Sequence, residues 1–536
     1  MGFEQVKPNQ PNLKRAIFMK NENLPSSPIR GSSARFPCKI GPCAVLSLLP
    51  YPGLLKMRLF DTMSREVREL APRDSKTYRF YCCGPTVYGP AHIGNFRSFV
   101  LQDVFRRSLE LSGLPAFHVR NLTDVDDKTI RDSQAAGQSL KDFTDHWRDR
   151  FHTDCDKLNL LRPHLEPSAV EHIPHQIAMI AELMEKGHAY ASADGSVYYR
   201  VASFGGYGRL SRLDQRELKE GASGAIADDE YDKDSVSDFA LWKARRDEDG
   251  DNWWDSPWGQ GRPGWHLECS AMCREYLGDS FDLHSGGVDL VFPHHENEIA
   301  QSEACSGHVM ADHWFHLTHL LVDGGKMSKS VGNFYTLDQL GKAGFSPAEL
   351  RYVLISAHYR QPLNFVAKDA DGKETFSALL GARQALQRLA KFEAALGAKG
   401  GNPDIPTYDT LLALKDGASF HPAFESLQND LNTPEALGRV FTAIKSVKVE
   451  SLSPEGAARE RLGFHRVMAA LGLVLPTSPE EDATEAPAEI QALAEARREA
   501  KASKNWSEAD RIRDEISALG WELKDNKEGY ELCPKN

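Results

Sequence analysis

The chain has 536 residues and a formal net charge of −12, with 41% hydrophobic and 26% charged residues. This length exceeds that of one domain, so we expect about two to four domains with buried cores. No apolar run is long enough for a membrane span. The nine cysteines are sparse and odd in number, which favours a reducing compartment over a disulfide framework. The acidic charge excludes a global basic surface for nucleic acid but allows a local one.

The first 56 residues form an extension that differs from the rest of the chain. They contain eight basic residues, eight prolines and only two acids, a composition that predicts disorder. A basic, serine-containing and acid-poor segment is typical of an organellar transit peptide. The alternative is an upstream extension with a misassigned start, the true first residue being Met57. Weak helical amphipathicity favours the second interpretation, so we expect a cytoplasmic protein, with an organellar location as the alternative.

The body of the chain opens with a predicted strand–helix–strand unit. KTYRFYCCG (76–84) has the aromatic content of a strand, and residues 92–113 repeat apolar side chains at helical spacing up to a terminal glycine. AFHVRNLTDVDDK (116–128) is a second strand that runs into an acidic loop. Such a unit predicts a parallel sheet covered by helices, so we expect an α/β fold with a Rossmann-like domain.

This sheet domain is predicted to span 57–365 and to contain an insertion. The stretch at about 165–262 becomes polar and rich in acids, glycines and tryptophans, and it separates two halves of the sheet. The second half alternates helix and strand, with elements predicted at 265–278, 281–287, 294–307 and 314–324. It ends in a glycine-flanked loop, 324–333, that contains KMSKS.

The remainder of the chain is predicted to be almost wholly helical. Amphipathic spacing without strand alternation indicates a helical domain over 366–475. A linker rich in Pro, Glu and Ala follows at 476–489. The last unit, 490–536, combines helix with a hairpin that turns at Asn526–Gly529.

FPHHENE (292–298) concentrates metal ligands at a predicted helix start. His294 and Glu298 are four residues apart and share one helix face, whereas His295 and Glu296 are expected to point elsewhere. A histidine and a carboxylate on one face make half a zinc site. A solvated helix start is the alternative, because Glu is favoured there in any case.

Cysteines are candidates for the other half of such a site. Cys83 ends the first strand, where active-site groups of open α/β sheets lie, and its neighbour Cys82 must face the opposite way. Cys269 lies near the start of the helix at 265–278, and Cys273 follows one turn later. Each is also compatible with a buried small hydrophobe, so spacing alone does not decide.

Two further motifs point to a nucleotide. PTVYGPAHIGN (85–95) puts His92 and Gly94 at a strand-to-helix turn, where backbone N–H groups favour phosphate and a small residue admits a flat base. KMSKS (326–330) offers Lys326 and Lys329, which are suited to clamp a polyphosphate leaving group. Either motif alone is weak, but together and in this order they are strong.

With these motifs the chain resembles class I aminoacyl-tRNA synthetases, and specifically the bacterial-type cysteinyl-tRNA synthetase family. The resemblance rests on FYCCGPTVYGPAHIGN, RNLTDVDDK, PGWHLECSAM, DLHSGGVDLVFPHHENEIAQSEA, DGGKMSKSVGNF, DLNTPEAL (430–437) and KNWSEADRIRDEISALGWEL. It covers nearly all of 57–536 and leaves out only 1–56. It implies that 57–365 is the catalytic domain, 366–475 the anticodon-binding bundle and 490–536 a small unit that assists it.

The resemblance also implies roles for individual residues. The family's zinc ligands fall on four residues: Cys83, Cys269, His294 and Glu298. Its nucleotide-binding lysine falls on Lys329, and positions that line its amino-acid pocket fall on Thr123 and Trp265. Two positions depart from the family pattern. Asn95 is the fourth residue of the HIGH-type motif, and Ser285 replaces a glycine of HGGG and is expected to narrow that loop.

The implied reaction is ATP-dependent activation of L-cysteine followed by transfer to tRNA-Cys. His92, Asn95, Lys326 and Lys329 are the expected catalytic residues, and His92, Gly94 and Lys329 the expected ATP-binding ones. One Zn²⁺ per chain is expected to select the substrate thiol, and a purely structural zinc is the alternative. Mg²⁺ is expected with ATP. The acids at 124, 126 and 127 are candidate Mg²⁺ ligands or simply a solvated loop.

The family expectation is a monomer without membrane attachment. Three rival functions stay open at this point: a ligase that joins activated cysteine to an amino sugar, a catalytically silent tRNA-binding module, and a zinc hydrolase. The long chain beyond 366 argues against the first, intact His92, Lys326 and Lys329 argue against the second, and the third leaves KMSKS without a role.

Overall fold

The chain is described by a computed structural model. It describes residues 57–213, 225–226, 238–327, 333–368, 372–401, 404–414, 416–476, 488–503, 505–519, 521–526 and 529–534. The first 56 residues, most of the polar stretch at 214–237, the core of the KMSKS loop and most of the 476–489 linker therefore lie outside the described residues, as do the predictions made for them.

The first half of the sheet domain follows the predicted strand–helix–strand order. Its elements are β1 (Arg58–Asp61), β2 (Glu66–Glu69), β3 (Tyr78–Cys82), α1 (Ile93–Leu111), β4 (Ala116–Arg120), α2 (Asp127–Ala135) and α3 (Leu140–Lys157). The insertion contains α4 (Ile173–Glu185), β5 (Ala189–Ala191), β6 (Val197–Tyr199), β7 (Ala225–Ile226), β8 (Asp238–Ala244) and β9 (Gly261–Pro263). The strands of the insertion form a separate small sheet, in which β6 and β9 both pair antiparallel to β8.

The second half returns to the central sheet and leads into the helical part. Its elements are α5 (Trp265–Leu277), β10 (Phe281–Gly287), α6 (Glu296–Ser306), β11 (Ala311–Leu317), β12 (Leu320–Val322), β13 (Gly325–Lys326), α7 (Leu337–Lys342), α8 (Pro347–Leu354) and β14 (Leu363–Phe365). The remaining elements are α9 (Ser377–Gly400), α10 (Tyr408–Leu412), α11 (His421–Gln428), α12 (Thr433–Ser446), α13 (Pro454–Leu471), α14 (Ala488–Ala502), α15 (Trp506–Ala518), β15 (Trp521–Asn526) and β16 (Gly529–Pro534).

Four parallel strands form the central sheet, in the order β11–β10–β3–β4. In register, Leu283 of β10 lies opposite Phe80 of β3, which in turn lies opposite His118 of β4. Buried parallel strands carry apolar side chains on both faces, and β3 (YRFYC) has this composition. The predicted α/β class is confirmed, and β15 pairs with β16 across Asn526 and Gly529, as predicted for the hairpin.

Helix α1 connects the sheet domain with the helical part of the chain. Its buried Asp103 accepts from Arg107 one turn later (Nε to Oδ2, 2.7 Å) and from Arg351 of α8. Arg351 also donates from Nε to the carbonyl of Leu471, at the end of α13 (2.8 Å). Every charge in this ion network therefore has an opposite charge or a carbonyl within hydrogen-bond distance, which is how buried charges are tolerated.

Candidate active site and metal centre

The carboxyl ends of the four parallel strands lie along one edge of the sheet. Strand β4 lies beside β3 at one edge of the sheet, and β11 lies beside β10 at the other edge. The order in which the chain adds strands therefore reverses between β3 and β10. Ligands of open α/β sheets bind at such a switch point. Cys83 follows β3 directly, and β10 ends at Gly287. The residues predicted at these two strand ends are therefore neighbours at the switch point.

Two helices carry the other predicted ligands to the same place. Helix α5 begins at Trp265 and carries Cys269 four residues later, and His294 and Glu298 are also four residues apart at the start of α6. Residues four apart share a helix face, so each helix presents a pair. The Trp265 ring stacks on the His294 imidazole with centroids 4.3 Å apart, which joins the two pairs.

These residues form a buried group, here called the Glu298 cluster: Cys83, Cys269, His294 and Glu298. One ligand atom of each lies within 4.8 Å of the others. Cys83 Sγ is 4.0 Å from Cys269 Sγ and 3.8 Å from Glu298 Oε1, and His294 Nε2 is 3.0 Å from the same oxygen. Cys269, His294 and Glu298 are at most 1% exposed. The structure thus brings together all four residues predicted as metal ligands.

His295 also faces this cluster, so the prediction that it points elsewhere is wrong. Its Nε2 lies 3.3 Å from Cys83 Sγ, and its Nδ1 lies 2.7 Å from His316 Nε2. The reason is that His295 precedes Glu298 by three residues, and neighbours at i and i+3 share a helix face as those at i and i+4 do. Glu296 points away as predicted and accepts hydrogen bonds from backbone N–H groups of the insertion.

His284 is a functional neighbour that the sequence analysis missed. Its Nε2 is 2.8 Å from Glu298 Oε2, and the imidazole is fully buried. Cys83, His284, His295 and Glu298 form a second group whose ligand atoms lie within 4.8 Å of one another. The signals in the sequence were the position of His284 near the carboxyl end of a strand and its place as the first residue of the HGGG-type motif.

The composition of the Glu298 cluster fits a zinc ion. Two thiols, an imidazole and a carboxylate are ligand types that tetrahedral zinc sites use, and soft sulfur favours zinc over Mg²⁺ or Ca²⁺. The second group contains one thiol, and its His284 is already engaged by the second oxygen of Glu298. Metal ligands are commonly oriented by such an outer partner. We therefore assign His284 as the residue that orients Glu298.

The charges in the cluster depend strongly on one another. Burial alone raises the pKa of Glu298, but His284 and His294 outweigh burial and lower it to about 2. Burial lowers the pKa of His294, but Glu298 and Cys269 outweigh it and raise the pKa to about 10. A hydrogen bond from Cys83 lowers the pKa of Cys269 to about 6, whereas burial raises the pKa of Cys83 well above its usual value. The two sulfurs therefore share one proton.

Ser285, which replaces a family glycine, does not narrow the site. Its Oγ accepts from Gln102 Nε2 of α1 (3.1 Å) on the far side of β10, because successive strand residues face opposite ways. Gly286 is the residue that faces the cluster. A Cβ at Gly286 would lie 2.8 Å from the His295 ring, so a side chain is excluded there. The expectation that Ser285 narrows the loop is corrected.

The HIGN turn is held by hydrogen bonds among its own residues. His92 caps α1, and its Nδ1 accepts from the backbone N–H groups of Gly94 (3.1 Å) and Asn95 (3.2 Å). Asn95 Oδ1 accepts in return from the His92 N–H (3.1 Å). Because Nδ1 is an acceptor, a neutral His92 carries its proton on Nε2. Asn95, predicted to contact nucleotide, is thus also part of the helix cap.

The KMSKS segment contacts the HIGN turn. A Cβ built on Gly94 would lie 2.4 Å from Cε of Met327, and the ring of Phe334 packs edge-on against His92, with centroids 5.1 Å apart. Lys326 contributes its backbone to β13, but its side chain and all of Lys329 lie outside the described residues. The structure therefore brings the two motifs together without describing the lysine side chains.

Thr123 lies beside the loop that follows Cys83. Its N–H donates to the Pro85 carbonyl (3.1 Å), and its carbonyl accepts from the Val87 N–H (3.1 Å). Its Oγ1 accepts from Asn121 Nδ2 (3.1 Å). Thr123 is buried (2% exposed), and its role in the amino-acid pocket stays a prediction.

The acidic loop that follows Thr123 is neither a cation site by its geometry nor simply solvated. Its three carboxylates all accept hydrogen bonds from the protein: Asp124 from Ser168 and the Val170 N–H, Asp126 from the Thr129 N–H that it caps, and Asp127 from Lys243 and Arg262. Both cations are nearly buried, with side chains 7% and 9% exposed. Donors of the chain therefore already hydrogen-bond all three carboxylates.

Comparison with known proteins agrees with this architecture. A family model described as the catalytic domain of class I (C) tRNA synthetases matches residues 69–373, more than half of the chain. A solved LeuRS–tRNA–LeuAMS ternary complex from Agrobacterium radiobacter K84 has the same fold, with a TM-score of 0.51 and 11% identity over 74% of this chain and 83% of that one. The protein is thus an enzyme of the class I aminoacyl-tRNA synthetases.

Similarity over nearly the full length narrows this class. The curated cysteine–tRNA ligase of Opitutus terrae is 51% identical over 488 residues, which cover 90% of this chain and 99% of that protein. The one from Brachyspira hyodysenteriae is 42% identical over 473 residues, covering 88% and 98%. The chain belongs to the cysteine–tRNA ligase family.

A second family model, described as the cysteinyl-tRNA ligase anticodon-binding domain, matches residues 483–531. This range falls on the small C-terminal unit rather than on the helical region 366–475. That region 366–475 binds the anticodon and that 490–536 assists it stays a prediction. Over the described part of the chain, no helix combines the length and apolar content needed to cross a membrane.

Proposed function

We propose that this enzyme uses ATP to activate L-cysteine as cysteinyl-adenylate and transfers the cysteinyl group to tRNA-Cys. In this proposal one zinc ion, held by Cys83, Cys269, His294 and Glu298, selects the substrate thiol. The observation that supports the proposal is that a buried thiol–imidazole–carboxylate cluster and the HIGN turn both lie at the carboxyl edge of one sheet.

The cluster would supply the discrimination between cysteine and serine. An apolar pocket separates such near-isosteres by only about 10²-fold. A zinc ion bound there would prefer thiolate to a neutral hydroxyl and would stabilise the deprotonated thiol. Trp265, stacked on His294, and Gly286, which has no room for a side chain, would limit the space next to the cluster. We keep a purely structural zinc as the second possibility, because four protein ligands are typical of closed sites.

Adenylation would take place above the HIGN turn. The His92 ring is oriented by two backbone N–H groups, so its Nε2–H can donate to a phosphate oxygen. Gly94 would admit the nucleotide close to the backbone, and Asn95 would reach phosphate or ribose. We propose that Lys326 and Lys329 stabilise the departing pyrophosphate as the cysteine carboxylate attacks the α-phosphate in line. Mg²⁺ would arrive with ATP, and the carboxylates at 124, 126 and 127 would keep their hydrogen bonds to the protein.

The second step would be attack of the terminal ribose hydroxyl of the tRNA on the adenylate. We propose that the bundle 366–475 and the C-terminal unit 490–536 hold the anticodon side of the tRNA. A monomer and a cytoplasmic location complete the proposal, with an organellar location as the alternative.

Cysteine-dependent exchange between ATP and pyrophosphate, measured with and without tRNA-Cys, tests this function. We expect exchange with L-cysteine, none above background with L-serine, and esterification of tRNA-Cys. Metal analysis should find one zinc per chain. Exchange followed by transfer to an amino sugar instead of tRNA would contradict the proposal, and so would tRNA binding without exchange.

Two variants test the metal ligands, and a spectrum separates a selecting zinc from a structural one. Cys83→Ser should abolish zinc binding and cysteine activation, whereas Cys82→Ser, which changes the neighbouring core-facing thiol, should keep both. X-ray absorption of the zinc-loaded enzyme should gain a sulfur neighbour when L-cysteine binds. An unchanged spectrum at saturating cysteine would leave the enzyme intact but make the zinc structural.

A further inference from the structure

The two thiols of the Glu298 cluster differ from the other described thiols in exposure and spacing. Six cysteines have side chains that the structure describes, and of these Cys83 is partly exposed while Cys82, Cys155, Cys269, Cys273 and Cys305 are buried. Cys83 Sγ lies 4.0 Å from Cys269 Sγ. A cysteine that is only partly buried therefore has the sulfur of a buried cysteine (1% exposed) next to its own.

The nearby cysteines are poorly placed to compete for this pairing. Cys82 precedes Cys83 on the strand and packs into the core on the opposite face. Cys273 lies one helical turn after Cys269, where Cβ atoms are about 5–6 Å apart, beyond the about 3.5–4.5 Å that a disulfide needs. The pair Cys83–Cys269 joins a strand end to a helix, and its sulfurs need to approach by about 2 Å to bond.

We infer that, when the cluster holds no metal, Cys83 and Cys269 form a reversible disulfide by exchange with a small aminothiol disulfide, of which L-cystine is the form derived from the substrate. The inference rests on the proposed cysteine pocket for the access of this oxidant. It adds a redox modification site to the residues that hold the metal.

The exchange proceeds in two displacements. The Cys83 sulfur attacks one sulfur of cystine, the S–S bond breaks, and the Cys83 proton leaves with the first cysteine, so that Cys83 carries a mixed disulfide. Cys269, which is then a thiolate, attacks the Cys83 sulfur and expels the second cysteine as a thiolate, which takes a proton from water. Two protein thiols are oxidised, and one cystine is reduced to two cysteines. Cys83 reacts first because it is the less buried residue of the pair.

Metal binding and disulfide formation exclude each other, because both use the same two sulfurs. Only the metal-free fraction reacts, so zinc at about 100 times its Kd should slow oxidation about 100-fold. Excess cysteine reverses the reaction, since the products of oxidation are cysteine itself. The metal-free site therefore responds to the ratio of cysteine to cystine, and the oxidised fraction cannot take up zinc until cysteine reduces it.

The test uses the full-length protein, freed of metal by a chelator and checked for its folded state by circular dichroism. After incubation with L-cystine, peptide mass spectrometry without reductant should find the peptides of Cys83 and Cys269 cross-linked. Excess L-cysteine should reverse the cross-link, and reloading with zinc before oxidation should suppress it. Glutathione disulfide, a larger aminothiol disulfide, should react more slowly if the pocket admits the oxidant.

Two variants sharpen the test. Cys269→Ser should stop at the first step, with one cysteine attached to Cys83, whereas Cys82→Ser should cross-link as the parent does. A folded, metal-free chain without the Cys83–Cys269 cross-link would overturn the inference, as would cross-links confined to other cysteines. A chain that binds zinc but never cross-links refutes only this inference. A chain that cross-links but binds no zinc refutes the proposed metal site and leaves the inference standing.

Discussion

The Glu298 cluster and the acidic loop 124–127 both gather side chains able to hold a cation, but they are built in opposite ways. In the loop, every carboxylate accepts hydrogen bonds from the chain, and Asp127 meets two cations. In the cluster, two sulfurs and a carboxylate converge within 4.8 Å, with imidazoles as their neighbours. Several acidic residues close together therefore do not by themselves make a metal site. Converging lone pairs in a buried place favour one, because their burial is costly without a cation.

The largest effect should come from removing a ligand of the Glu298 cluster. Cys269→Ser should lose zinc and reduce cysteine-dependent pyrophosphate exchange by more than the about 10- to 100-fold typical of outer-shell changes. The fold should survive, since serine is of similar size. Metal analysis and exchange assays measure both effects, with Cys155→Ser, a buried thiol in the hydrophobic core, as the matched control. Parent-like exchange in Cys269→Ser would refute the ligand assignment.

A smaller effect is expected from the outer partner of the carboxylate. His284→Asn removes the imidazole that lies 2.8 Å from Glu298 Oε2. We expect zinc affinity to fall about 10- to 100-fold, because such a partner orients the ligand without holding the metal. Competition with a zinc-binding dye measures the affinity directly. An unchanged affinity would show that Glu298 is positioned by His294 alone.

The acidic loop should respond in stability rather than in metal dependence. Asp127→Asn weakens the pairing with the nearly buried Lys243 and Arg262, and since the Asp127 side chain is 42% exposed we expect a cost of only about 1 kcal/mol. Urea unfolding measures this cost. The Mg²⁺ dependence of exchange should stay that of the parent, and a raised Mg²⁺ requirement would restore the loop as a metal site.

The pH dependence of stability, compared between the parent and the Asp127→Asn variant, tests the same ion pairs. Burial raises the pKa of Asp127, but Lys243 and Arg262 outweigh it and lower the pKa from its ordinary 3.8 to about 2. A carboxylate with a depressed pKa in the folded state stabilises the fold above its unfolded pKa and loses this contribution as the pH falls through the folded value. The stability difference between parent and Asp127→Asn should therefore be full above about pH 4 and vanish toward about pH 2.

The sequence predicts these two regions unequally well. The strand at 78–82 and helix α1 follow from periodicity, and the pair His294–Glu298 follows from helical spacing, because these patterns are local. The pairing of Cys83 with Cys269 joins residues far apart in the chain and came only from the family resemblance. Local spacing also gave the wrong direction for His295, although its i,i+3 relation to Glu298 contained the signal.

For the acidic loop, the sequence does not predict which residues pair with its carboxylates. Nothing near residues 124–127 in the sequence indicates the partners of Asp127, because Lys243 and Arg262 come from the insertion and arrive only through tertiary packing. The same limit applies to His284, whose contact with Glu298 joins a strand to a helix. Sequence patterns of this kind predict which residues share an element and a face, whereas the partner across two elements depends on how those elements pack.

The smallest effect is expected at Ser285. This residue follows His284 directly, but its side chain faces away from the Glu298 cluster. Ser285→Gly removes the buried hydrogen bond from Gln102 (3.1 Å) and should cost about 1 kcal/mol. Zinc content and the KM for cysteine should not change, because the Ser285 side chain faces α1. Gly286→Ala, one residue later, is the matched comparison: its Cβ would lie 2.8 Å from the His295 ring, so zinc binding and exchange should both fall. Equal effects at the two positions would mean that Ser285 and Gly286 do not lie on opposite faces of β10, one toward α1 and the other toward the Glu298 cluster.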